Sequence, residues 1–120
     1  MLEKVSDKFI KSLKENKNKK GLISVIKIKL KNFQDTFDLS KQKMIDGEEW
    51  IVKKIDANCN FGHYRIIVAQ NKSSKNFVYD FYFKNSKDDL SNDEIKNLRN
   101  FLKECESYEY LNRLQNLYDL

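Results

Sequence analysis

Two stretches, 21–33 and 76–84, constrain this chain more than any other feature, because each reads as a strand and together they ask for a sheet. In the first, Ile26, Ile28 and Leu30 alternate with Lys27, Lys29 and Lys31, the period-two pattern that sends alternate side chains to opposite faces of a strand. In the second, Phe77, Tyr79, Phe81 and Phe83 share one face, and Val78, Asp80 and Tyr82 the other. Four rings on one face predict the floor of a core. The lysines predict a wet, basic face elsewhere on the sheet.

The remaining elements follow from period and punctuation. Residues 2–17 carry Leu2, Val5, Phe9, Ile10 and Leu13 near helical spacing, with Lys4, Lys8, Lys11 and Lys14 away from that stripe, so a helix ending before Gly21 is expected. Residues 36–39 suit a short strand, and Asp46-Gly47 is a turn signal. Two alternating runs follow, 49–56 and 63–70, separated by a turn at 58–62 and joined to 77–84 by a polar link. Such spacing predicts an antiparallel meander. Ser91 and Glu94 have capping-box spacing, flanked by Leu90 and Ile95 in staple positions. A helix therefore starts near residue 92, with Ile95, Leu98, Leu102 and Cys105 as its buried stripe. The pattern breaks at Glu106-Ser107 and resumes at Leu111, Leu114, Leu117 and Tyr118. The expected architecture is one α+β domain over 1–120. It has an antiparallel sheet of four to five strands, one helix before it and one or two after it, all packed on one face.

Composition narrows the classes. With 120 residues, 40% apolar and 12% aromatic, the chain can bury one core and is not of disordered type. The net charge of +5 is uneven: residues 1–75 hold 17 basic against 9 acidic side chains, and residues 76–120 hold 6 against 9. A basic front favours an acidic partner or a polyanion, although lysine-rich soluble surfaces are ordinary. Abundant Lys and Asn with no proline suit an AT-rich coding source such as a bacterium, archaeon, virus or mobile element. Two distant cysteines, Cys59 and Cys105, are too few for a secreted disulfide scaffold. Lysines interrupt every early apolar run and no window reaches the ~20 apolar residues of a membrane span. The cytoplasm is the expected compartment, with no membrane partner.

Few patterns carry chemistry. His63 is the sole histidine, four residues after Cys59. A structural zinc would need four ligands, and a Cys–His nucleophile would need an oxyanion hole and an orienting group. The glycines Gly21, Gly47 and Gly62 stand too far apart for a phosphate loop or a nucleophile elbow. Acid-x-lysine triplets of the metal-nuclease kind, Glu15-Asn16-Lys17 and Glu94-Ile95-Lys96, fall on predicted helices rather than on strands. Lys75, Phe77, Tyr79 and Tyr82 echo the spacing of an RNA-recognition-motif strand. However, Asn76 and Val78 replace its small residues, Asp80 takes an apolar position, and the βαββαβ order is missing. The chain is not assigned to that family.

With no catalytic constellation, no cofactor and no metal set, the expectation is a non-catalytic module that docks on and masks or inhibits a larger protein partner. Small inhibitor and immunity proteins of phages and mobile elements offer an analogy of size and composition only. Trp50, Tyr64, Tyr82, Tyr108 and Tyr110 are the candidate anchors, since aromatics lead at interfaces. The alternative is a nucleic-acid-binding module using Lys4, Lys8, Lys11, Lys27, Lys29, Lys31 and Arg65. A small Cys59/His63 enzyme is third. A homodimer through the apolar 111–118 stretch is also open.

Overall fold

The computed structural model describes residues 4–32, 50–71, 76–84, 90–105 and 108–116. In chain order the elements are β1 (Lys4–Val5), α1 (Asp7–Glu15), α2 (Lys20–Asn32), β2 (Trp50–Cys59), β3 (Gly62–Asn71), β4 (Asn76–Phe83), α3 (Asn92–Glu104), α4 (Tyr108–Arg113) and β5 (Gln115–Asn116). The expected strand at 36–39 and the Asp46-Gly47 turn lie outside the described residues, as do Lys75, Leu117 and Tyr118.

The α+β class holds, with a five-stranded sheet in the order β2-β3-β4-β1-β5. The meander β2-β3-β4 is antiparallel throughout. The sheet as a whole is mixed, because β1 runs parallel to β4 and antiparallel to β5. Sequence reading misses both short strands, since two residues are too few to show a period.

Two expectations about the helices are corrected. First, the 2–17 helix is shorter. Lys4 and Val5 are strand, and α1 starts after Ser6, whose hydroxyl caps it by accepting from the Phe9 N–H at 3.0 Å. Second, the lysine-alternating stretch is the helix α2, not a strand. Leu22, Ile26 and Leu30 recur every four residues and are its buried side chains, while Ile28 is 56% exposed. A strand would have buried Ile28 together with Ile26 and Leu30. Gly21, read as a helix stop, sits instead in the first turn of α2.

The sheet is covered on both faces rather than one. On one face, Phe9 of α1 and Leu22, Ile26 and Leu30 of α2 pack with Tyr64, Ile66, Val68, Val78 and Phe81. On the other, Leu98 and Leu102 of α3, with Leu90, Cys105 and Leu114, pack with Trp50, Val52, Ile67, Ala69, Phe77 and Tyr79. Each core has its own helical layer, so both faces of the sheet are dry at the centre.

The aromatic strand β4 shows how this is done. Its pairing to β3 runs Ile67↔Asp80 and then Val68↔Val78, so Tyr79 is an extra residue. A bulge of this kind reverses the alternation beyond it. Phe77 and Tyr79 therefore face α3, while Phe81 and Phe83 face α1 and α2. The four rings expected on one face are divided between two cores. Ser6 holds the bulge: its N–H donates to the Val78 carbonyl at 2.9 Å and its hydroxyl donates to the Tyr79 carbonyl.

Candidate nucleic-acid interface

The sequence-predicted anchors are mostly inside. Trp50, Tyr64 and Tyr82 are buried, and Tyr110 is half-buried against the α3 core. Their rings fill cores and present no free face, which corrects their assignment as exposed anchors. The side chain of Tyr108 is outside the described set. Phe77 and Tyr79 are buried under α3, so β4 offers no open platform for stacking bases. Among the described residues only Ile28 and Phe61 are large apolar side chains left exposed, at 56% and 41%. Neither was singled out from sequence. Ile28 belongs to the expected strand face with Ile26 and Leu30, and Phe61 lies within the expected 58–62 turn, but neither alternation nor turn spacing shows which side chain stays exposed.

Cys59 and His63 do not meet. Cys59 packs with Ile55 and Ala57 on the α1–α2 side, whereas His63 pairs across the hairpin with Asn58 on the other side, its Nδ1 2.8 Å from the Asn58 Oδ1. Cys105 is buried in the opposite core, and both thiols are free. Among the described residues no group of three His, Cys, Asp or Glu side chains is arranged to hold a metal ion. No helix among them is long and apolar enough to cross a membrane.

The seven candidate basic residues divide into two groups. Arg65 is on the α3 side of the sheet, where the Tyr82 hydroxyl it bonds raises its pKa against burial, with help from Asp56 at 3.5 Å. Lys4 donates to the Leu114 carbonyl at 3.2 Å and ties β1 to the C-terminal segment. Lys8 is over the Tyr79 ring at 5.3 Å and 4.0 Å from Asp80. Lys4, Lys8 and Arg65 therefore have internal work. By contrast, Lys11 of α1 and Lys27, Lys29 and Lys31 of α2 are exposed. On α2, Lys20, Ser24, Lys27 and Lys31 fall on the outward stripe with one helical period. No Asp or Glu lies on that helix.

The α1–α2 layer meets the β2–β3 hairpin tip at Gly21. A Cβ there would stand 3.0 Å from the Asn60 Oδ1 and 3.7 Å from the Phe61 ring, so the missing side chain lets the tip seat on the first turn of α2. The tip itself is a two-residue loop, Asn60-Phe61, closed by the Cys59↔Gly62 pair. Gly62 has φ +125°, and a Cβ on it would come within 2.5 Å of the Phe83 ring. Only glycine fits both constraints.

Beside that tip is a groove of about 310 Å³, bordered by the end of α1, the α1–α2 turn and the rings of Phe61, Tyr64 and Phe83. Tyr64 and Phe83 stack obliquely with centroids 5.0 Å apart. The Lys19 ammonium donates to the Tyr64 hydroxyl at 3.4 Å. Asn16 borders the groove and donates its Nδ2 to the Ser12 carbonyl at 2.8 Å.

A second groove, about 260 Å³, is on the α3 side among Asp7, Lys8, Tyr79, Phe101, Glu104 and Tyr110. Burial and the nearby Glu104 carboxylate push the Tyr110 hydroxyl up to about 12. Burial also raises Tyr79, with Asp80 and Glu94 adding to it. Phenols shifted in this direction release their protons less readily than free tyrosine.

No family model matches this sequence, and comparisons with curated proteins and with solved structures find no similar protein.

Proposed function

We propose that this protein is a non-catalytic binding module that holds nucleic acid through its α1–α2 layer. The observation that carries this reading is the separation of charge across the sheet. Helix α2 holds four lysines and no carboxylate, whereas α3 on the opposite face holds three basic side chains against three acidic ones. The uneven charge along the chain thus becomes a difference between two faces of one molecule. Among the described residues, Lys11, Lys14, Lys17, Lys20, Lys27 and Lys29 have no carboxylate partner. Lys20 is at a helix start that favours anions, and no acidic side chain stands in that first turn. Such an arrangement costs the free protein stability, and a row of phosphates would offset it. Lysines that neutralise phosphates release condensed counterions, so the binding is independent of sequence and steep in salt.

A second reading, docking on and masking an acidic protein, is favoured by Ile28. It stands 56% exposed among those lysines, and a phosphate backbone has nothing apolar to cover it. One experiment separates the two. Fluorescence anisotropy with a labelled mixed-sequence oligonucleotide at 50 and 200 mM salt is expected to show binding that falls steeply with salt. The Lys27/Lys29/Lys31→Ala variant is expected to weaken it for every sequence and to reduce the log–log salt slope by about two to three. Ile28→Ser should leave it unchanged. Absence of binding at 50 mM salt, or binding insensitive to both salt and the triple variant, overturns the nucleic-acid reading. Capture of a discrete acidic protein that Ile28→Ser abolishes would establish the second.

A further inference from the structure

We infer that the groove beside the hairpin tip takes one unstacked base of a single strand, so that the preferred ligand is single-stranded rather than duplex nucleic acid. The inference rests on the nucleic-acid reading and adds a site to it. The lysine stripe of α2 reads only phosphates, which duplex and single strand both present. The groove is different in kind. Its volume of about 310 Å³ is at the small end of the roughly 300–1,000 Å³ of small-ligand pockets, too large for one water and too narrow for a duplex.

Its chemistry suits a base. Phe61 is 41% exposed at the rim, with Phe83 on the groove wall behind it, so an inserted ring would find the Phe61 face on which to stack. Glu15 and Asn16 border the same space, and a carboxylate and an amide oxygen are hydrogen-bond acceptors. They suit an exocyclic amine, which adenine, cytosine and guanine carry and thymine and uracil lack. The Lys19 ammonium is the groove's cation, 3.4 Å from the Tyr64 hydroxyl. Lys17 and Lys20 flank it in the chain, which supplies positive charge for the phosphates on either side of the base. The contact of Phe61 with the Gly21 position joins the groove to the α2 stripe, so one strand can run along the lysines and turn a base in at the tip.

The probes are a labelled 15-nucleotide mixed-sequence DNA, the same strand annealed to its complement, and labelled dT15, all by anisotropy at 50 mM salt. The expected results are tighter binding of the mixed single strand than of the duplex, and weaker binding of dT15. Phe61→Leu keeps an apolar tip but removes the ring. It is expected to lose about tenfold on the mixed single strand, within the range of one base–aromatic stack, and nothing on the duplex. Asn16→Ala leaves every ring in place and is expected to narrow the gap between mixed strand and dT15. Equal binding of single strand and duplex, or a Phe61→Leu loss shared by both, overturns the groove assignment while leaving the phosphate-binding layer standing. No binding of any probe overturns both readings together.

Discussion

Helices α2 and α3 have the same length, 13 residues each, and cover opposite faces of one sheet, yet they are specified in different ways. α3 is written locally. Ser91 caps its start, Glu94 closes the capping box from the other side, Asp93 and Glu94 are in its first turn and Lys103 in its last. Each of these favours a helix before any packing is considered. α2 has no acid in its first turn and carries β-branched Ile23, Val25, Ile26 and Ile28, which favour strands. What makes it a helix is burial of Leu22, Ile26 and Leu30 against the sheet. The lesson is that a local code and a tertiary one can produce equal elements, and only the first is visible in the chain.

The largest expected effect breaks the tertiary code. Ile26→Ala removes a fully buried side chain and is expected to cost about 2–5 kcal/mol. Ile28→Ala, two residues on, is expected to stay within about 0.5 kcal/mol of wild type. Chemical denaturation of the two variants measures the contrast, and equal losses would mean that the stretch is a strand after all. The next effect tests the local code. Ser91→Ala is expected to cost about 1 kcal/mol, whereas Lys20→Asp, which gives α2 the acid it lacks, is expected to add about 0.3–1 kcal/mol. If Ser91→Ala proved silent in the same assay, α3 would owe its helix to packing as well.

The smallest effect is in the pH dependence of the α3 layer. The folded Tyr110 hydroxyl titrates at about 12, above its ordinary value of 10.0. The unfolded chain therefore loses this proton first. Its contribution to stability is complete below pH 10 and is lost as pH rises through about 12. Tyr110→Phe is expected to flatten the decline of the thermal midpoint in that window, at a modest cost near neutral pH from the lost bond to Glu104. An unchanged alkaline slope would remove Tyr110 as its source.

The candidate interface was partly legible. Lys11, Lys27, Lys29 and Lys31 were identified as basic surface, and all four are exposed. That their helices share one sheet face was not legible, because it needs Phe9 of α1 and Leu22, Ile26 and Leu30 of α2 packed in one core. Lys4, Lys8 and Arg65 look the same in sequence, but the fold gives them Leu114, Asp80 and Asp56 as partners. The aromatic anchors failed for a related reason. Amphipathic rings such as Trp50 and Tyr64 suit an interface or a core equally well, and helices covering both sheet faces made core the outcome.

The sequence by itself determined the three long strands, the antiparallel hairpins joining them and the start of α3, because alternation and capping act between residues a few positions apart. Tertiary structure decided the helical state of 20–32, the bulge at Tyr79, the two short strands beside β4, and which side of the sheet each charge occupies. Those outcomes depend on surfaces brought together from distant parts of the chain, where burying Ile26 outweighs what its neighbours prefer and one extra residue in β4 sends Phe77 and Phe81 to different cores.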